Sequence, residues 1–419
     1  MSQNFAGGTI FNGNVGIQDG PNLDAFSRLR ISQPETLFSY LSDYGLNRTV
    51  YETGGIGAGS SGTYDNTLRM TLLQVGVGTG TSYVQSYEYI PYQAGKSQLI
   101  FVTGLLGSGV ANVTKDIGYF DANNGIFYRQ NGTSGLQIIR RTSTSGVPVD
   151  NAVNQVNWNL DPLNGTGGSG ITIDPTKVFI LVIDLQFLAM GRVRVGFDIG
   201  GQIIYAHEFL NANVLTVPYM QVANLPIHAQ ISANSGVGGA STMYFKCASV
   251  NSEGGLSSYI GFSTSTPEGT VTAGSGARTH ILSVRPKTTY RGLTNRIKFI
   301  LEHLELCVTG NNAVFWELVI GAAFSGAPTW ADVNTSYSGF EYATGGTFSN
   351  LTSGLVIASG YCNAVNAGAQ SIDAKIATNY PISLDSAGAT RALGTLSLLV
   401  TGIGGTSATR ASFNFSEVR

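Results

Sequence analysis

Charge is what this 419-residue chain has least of: Lys, Arg, Asp and Glu make up 11% of it, and the net charge is −2. Soluble proteins carry roughly 25% charged residues, so the surface must be built from Ser, Thr, Asn, Gln and Gly. With so little repulsion between copies, such a surface suits a permanent assembly better than a concentrated free monomer. No basic stripe is present that could neutralise several phosphates, which argues against nucleic acid as a partner. Cysteine is also scarce. Cys247, Cys307 and Cys362 are an odd, widely spaced set, unsuited to a disulfide framework or a metal cluster and compatible with synthesis in a reducing cytoplasm. No apolar run reaches membrane-spanning length, and MSQNFAGGTI offers neither the cationic start nor the apolar core of a signal peptide. The Asn-x-Ser/Thr triplets at Asn47, Asn112 and Asn131 are accordingly read as unglycosylated. Membrane insertion and cofactors are not expected.

What the chain does have is length, glycine and alternation. At 419 residues it exceeds the roughly 250–300 at which single cores stop growing, so two domains are expected. Arg192 to Ile199 sets Val193, Val195, Phe197 and Ile199 on one face and Arg192, Arg194 and Asp198 on the other, the pattern of a half-buried antiparallel strand. Gly200-Gly201 and the run Gln202 to Phe209 complete a hairpin. Further strands are read at 99–103, 126–130, 136–141, 178–184, 227–233 and 243–250. Helical periodicity is nearly absent. The fold class is therefore all-β, with two antiparallel β-sandwiches of jelly-roll or lectin-like type. The turn-rich 256–278 reads as a linker between a first sandwich at 39–255 and a second at 279–419. Residues 293–306 fit either period; strand is favoured because Gly310-Asn311-Asn312 and Val314 to Ile320 supply a hairpin partner.

Catalytic patterns fail on their own requirements. Gly57, Gly59 and Gly62 form a GxGxxG, but Thr63 to Leu73 reads as a strand where a dinucleotide site needs a helix. No Gly-x-Ser-x-Gly elbow occurs. The histidines (His207, His228, His280 and His303) lack ligand-spaced partners and read as structural, and Asp121 to Gly125 reads as an Asn-Gly turn. Asp161, Asp174, Asp184 and Glu208 could supply a glycosidase pair, yet spacing brings no two of them together. No internal β-helix repeat of the depolymerase kind is visible. Neither catalytic nor metal-ligating residues are assigned, and the chain is not expected to be an enzyme.

Two segments invite a functional reading. In the loop Asp150 to Gly170, Trp158 between Asn157 and Asn159, followed by Asp161, offers an aromatic face with amide and carboxylate hydrogen bonding, as carbohydrate recognition uses. The competing reading is that Trp158 plugs the end of the sandwich and the asparagines cap turns. The second segment is residues 1–38. A Gly- and Asn-rich lead able to reach about 70 Å when extended precedes NLDAFSRLRISQPETLF, whose Phe26, Arg28, Arg30 and Phe38 read as anchors for an extended arm.

Several stretches, DAFSRLRISQPETLF (24–38), residues 157–213, NLPIHAQIS (224–232), SVNSEGG (249–255) and ILSVRPKTTYRGLTNR (281–296), resemble a family of virion-associated proteins. Its members are encoded by tailed bacteriophages and some large DNA viruses. The chain departs from that family at Ile227-His228-Ala229, where an arginine–aromatic pair is more usual. The resemblance implies a β-rich virion structural protein, located in the virion, with no enzymatic residues to carry over. Its expected place is a tail appendage, fibre or capsid decoration, in which the arm docks on other copies of the chain, a trimer being a common solution, or on other virion proteins. The alternative expectation is a lectin-like adhesin for host surface polysaccharide.

Overall fold

The computed structural model describes residues 22–419 apart from 32, 235–238, 256–258, 267–270, 325, 327, 346–353, 364–369 and 374–379. The lead before Asn22, expected to be a contact arm, therefore lies outside the described residues. The chain is all-β, and its strands fall into two antiparallel sandwiches.

The first sandwich begins with β1 (Glu35–Leu41), β2 (Tyr51–Ile56), β3 (Ser61–Asp65), β4 (Met70–Val75) and β5 (Gly80–Ser86). It continues through β6 (Gln98–Leu105), β7 (Val113–Phe120), β8 (Gly125–Asn131), β9 (Leu136–Thr142) and β10 (Val149–Asn154). The strands β11 (Phe179–Leu185), β12 (Val193–Ile199), β13 (Gln202–Phe209), β14 (Ile227–Ala233) and β15 (Ser241–Ser252) complete it. One sheet runs β13-β12-β11-β6-β15-β4-β3, with β1 also paired to β15; the other runs β10-β9-β8-β7-β14-β5-β2. Ile117, Tyr119 and Ile138 of the second sheet meet Ile100, Val102, Leu181 and Ile183 of the first in one core. Strand alternation does this work: on β14, Ile227, Ala229 and Ile231 face that core, so His228 and Gln230 face outward.

The second sandwich holds β16 (Ile260–Ser265), β17 (Val271–Ala273), β18 (Thr279–Pro286), β19 (Thr289–Tyr290), β20 (Leu293–Thr294), β21 (Lys298–Val308) and β22 (Val314–Ile320). After these come β23 (Ala331–Asp332), β24 (Phe340–Thr344), β25 (Leu355–Cys362), β26 (Gln370–Asp373), β27 (Leu396–Gly402) and β28 (Ser407–Val418). One sheet is β16-β28-β21-β26 with β17 also on β28, and the other is β23-β24-β18-β27-β22-β25. Phe299, Phe413 and Phe415 form its centre together with Leu398, Val400 and Trp316.

The Gly200-Gly201 hairpin forms as expected, both glycines taking positive φ (65° and 82°). Residues 293–294 and 298–306 are strand, and no part of 293–306 is helix. Three expectations are corrected. The span 256–278 is not a linker, because β16 and β17 pair side by side along the twelve-residue β28 and Phe262 packs on Phe415 at 6.1 Å. Thr63 to Leu73 is two strands. Asp65 Oδ1 accepts hydrogen bonds from the Thr67 and Leu68 amides, which reverses the chain between β3 and β4. Finally, β21 and β22 are not a hairpin: they belong to opposite sheets, so the Gly310 turn carries the chain across the core.

Candidate functional site

The Trp158 loop is a core element. Its first residues are β10, and Trp158 is 4% exposed, with its ring 6.5 Å from both Phe197 and Tyr128 and Nε1 donating to the Val153 carbonyl. Its ring is thus packed inside the first sandwich. Asp161 is buried as well: Oδ1 accepts from the Leu163 amide and Oδ2 from the Ser169 amide, so its carboxylate shapes the loop. Those amides draw its pKa below the ordinary carboxylate value although burial opposes them. Asn159 is exposed but exchanges hydrogen bonds with the Glu208 backbone, and Asn157 is exposed. The four do not form one ligand surface.

The anchor segment docks as a unit, but not with all of its expected residues. Asp184, fully buried, receives Arg30 Nη2 at 2.7 Å, Arg194 Nη2 at 2.6 Å, Tyr205 Oη at 3.0 Å and, on its other oxygen, Ser97 Oγ at 2.8 Å. Arg30 also pairs with Glu253. Burial works against the Arg30 charge, yet the two carboxylates hold its pKa above the ordinary guanidinium value. Arg194 donates to the Leu23 carbonyl and Arg192 to that of Ala25, which fixes the chain ahead of β1. Phe38 is buried and packs edge-on against Tyr51 at 5.9 Å. Arg28, by contrast, closes a local loop: it pairs with Asp24 at 2.7 Å and lies 4.5 Å over the Phe26 ring. Leu29 and Ile31 of the same segment face outward, at 45% and 86% exposure.

The site that sequence reasoning missed lies between the two sandwiches. A cleft of about 860 Å³ is floored by the outward side chains Tyr83 and Gln85 of β5 and His228 and Gln230 of β14, with Phe120 and the Asp121–Asn124 turn beside them. Its opposite wall is the β19–β20 hairpin with Arg296, Ser386 and Arg419. His228 stacks against Tyr83 (5.8 Å, 10° between planes) and contacts Phe120 at 4.5 Å. Its Nδ1 lies 2.8 Å from Gln85 Oε1. Burial lowers the His228 pKa to about 3, so the ring is neutral and stacks as a flat, uncharged surface. The walls are held at a fixed distance by Glu52. It accepts from Tyr83 Oη at 2.7 Å, the Ser386 amide at 2.9 Å and Ser386 Oγ at 2.8 Å. Arg391 lies over the Tyr87 ring at 3.7 Å, and Lys298 pairs with Glu88. The alternation of strands β5 and β14 marked these residues as outward-facing, but no local signal showed that a second domain would cover them.

Chemically the cleft offers aromatic faces (Tyr83, Tyr89, Tyr290), side-chain amides (Gln85, Asn123, Asn224, Gln230, Asn295) and guanidinium groups. Asp121 is the one side-chain carboxylate among its described lining residues, and its Oδ1 is occupied by the Asn123 and Asn124 amides. Among the described residues no three His, Cys, Asp or Glu gather as metal ligands would, and no helix is long and apolar enough to cross a membrane.

No protein-family model matches the chain, and no curated protein does. Solved structures do. The CBM2 module of the evolved Dit of Lactobacillus casei BL23 phage J-1 is 9% identical, covers 54% of this chain and 99% of its own, and gives a TM-score of 0.34. A glycosyl hydrolase family protein from Mycobacterium fortuitum is 11% identical over 52% of this chain and 99% of its own, with a TM-score of 0.35. The binding domain of botulinum neurotoxin serotype D/C is 12% identical over 70% and 76%, with a TM-score of 0.33. Likeness at this level extends no further than the all-β fold.

Proposed function

We propose that the chain is a non-catalytic structural component of a tailed-phage-type particle that binds host surface polysaccharide in the cleft between its sandwiches. The observation that carries the glycan half is the cleft itself. Aromatic rings and side-chain amides line a groove large enough for several sugar units, which is the mixture that polyhydroxylated ligands require. A single, already engaged carboxylate favours binding over hydrolysis, since glycosidases flank the scissile bond with two. The particle half is supported by the resemblance of residues 24–38 and by the docking of Arg30 on Asp184, which ties that segment to the first sandwich.

Titration of the full chain against a panel of bacterial surface polysaccharides tests the glycan half, with Tyr83→Ala in the cleft and Trp158→Ala in the core as variants. Binding lost in the first and kept in the folded second is expected; no binding by the unaltered protein overturns it. The particle half fails if proteomics of purified particles does not find the chain, and the arm's role fails if removing residues 1–22 leaves incorporation unchanged.

A further inference from the structure

Four guanidinium groups line the cleft, and they are not equivalent. Arg141 is held by Asp150 at 2.7 Å and Arg419 by Glu417 at 2.9 Å. Arg291 and Arg296 have no carboxylate partner among the described residues. Arg296 donates only to the carbonyls of Asp385 (2.6 Å) and Ser386 (2.8 Å) while lying 4.1 Å over the Tyr89 ring. Arg291 reaches only the Ser336 carbonyl at 3.4 Å and stands 5.3 Å from the Tyr290 ring centre. Stacking fixes a guanidinium plane while leaving N–H edges free for a planar anion, which an ammonium group would not do.

A second, independent observation concerns the backbone. Arg291 and Gly292 are the two turn residues of the β19–β20 hairpin, with φ of 50° and 79°. Both central positions of such a turn need positive φ, a demand that Gly, Asn and Asp meet easily and a long side chain does not. A strained conformation retained on a loop tip that lines a cleft points to the side chain being needed there.

From this we infer that the cleft selects anionic polysaccharides, with Arg291 and Arg296 receiving the carboxylate or phosphate groups that recur along the glycan; the inference rests on the cleft being the glycan site. Neutral sugars would meet only the amide and aromatic floor. The chain's net charge of −2 makes the selection local, not a product of overall attraction.

The experiment measures binding of the full chain to hexasaccharides of polygalacturonate, hyaluronate and oligosialate, to their carboxyl-reduced counterparts, to poly(glycerol phosphate) and to poly(dT), at two salt concentrations. At least one anionic glycan is expected to bind tenfold or more tighter than its reduced form, with affinity falling as salt rises. Arg291→Asn, which suits the turn, is expected to remove that preference and to keep or raise the melting temperature. Preference for poly(glycerol phosphate), lost in the same variant, supports the anion site and assigns it to phosphate. Equal affinity for charged and reduced glycans overturns the anion site and leaves the glycan cleft standing. Binding of poly(dT) as tight as the glycans overturns selection. Failure of every saccharide to bind overturns both readings.

Discussion

The N-terminal anchor and the inter-sandwich cleft both depend on arginine and use it in opposite ways. At the anchor, Arg30 and Arg194 end on one buried carboxylate, Asp184, so every charge is spent inside the protein. In the cleft, Arg291 and Arg296 end on backbone carbonyls and aromatic rings, and their charge stays open to whatever enters. The same side chain thus closes the anchor and lines the cleft, with a carboxylate partner in one place and carbonyls and rings in the other.

The sharpest break of this contrast is Asp184→Ala. Removing the carboxylate leaves two guanidinium groups without their shared acceptor, one of them 1% exposed, and stranding a buried charge costs about 3–5 kcal/mol. Urea unfolding should register that loss, and protection of residues 22–34 from proteolysis should fall with it. A stability change below about 1 kcal/mol would mean that the anchor is held by Leu23, Ala25 and Phe38, not by charge.

Trp158→Ala comes next and concerns the residue that most invited a functional reading. Truncating a tryptophan packed on Phe197 and Tyr128 should cost about 3 kcal/mol. Glycan affinity measured well below the melting temperature should be unchanged. Binding lost without loss of stability would return the site to the Asp150 to Gly170 loop and empty the cleft of its role.

Why Trp158 admitted two readings while most strands admitted one is a matter of range. Alternation is local, so the segments 192–199, 202–209 and 227–233 could be read directly, and Gly200-Gly201 announced its own turn. Pairing is not local. Nothing near Phe262 shows that it will lie on Phe415, and nothing near Val314 shows that it joins the sheet opposite β21. The cleft is less legible still, because it needs the outward faces of β5 and β14 to meet a hairpin some sixty residues beyond β14. Trp158 and Asp161 have the residue types of a sugar site, but their environment, which decides their role, is made by distant strands.

Arg296→Gln tests the cleft side of the comparison with a smaller effect. Its guanidinium gives up two carbonyl contacts but strands no carboxylate, so the expected cost is about 1 kcal/mol. Anionic-glycan affinity should fall more than stability does. A loss of several kcal/mol would show that Arg296 behaves like Arg194, as part of the scaffold.

The smallest effect is also the most discriminating, because it asks whether the cleft floor is neutral. Burial lowers the His228 pKa to about 3, with the Gln230 side chain opposing the shift and Arg141 adding to it. Tyr83, Phe120 and Gln85 supply the rest of its surroundings, none of them charged at neutral pH. The unfolded chain, with an ordinary histidine pKa of about 6.5, therefore takes up a proton that the folded chain refuses. This contribution is complete above that value and declines as pH falls toward 3, with about 0.8 kcal/mol gone at pH 6 relative to pH 8. His207, lowered by burial to about 4, acts with the same sign. His228→Gln should thus lose about 0.8 kcal/mol less than the unaltered chain between pH 8 and pH 6 in urea unfolding. If both lose equally, His228 titrates in the folded protein as it does unfolded and becomes charged as pH falls below about 6.5. The cleft would then hold a third open cation beside Arg291 and Arg296, and its anion preference would strengthen on acidification where a neutral floor requires it to stay constant.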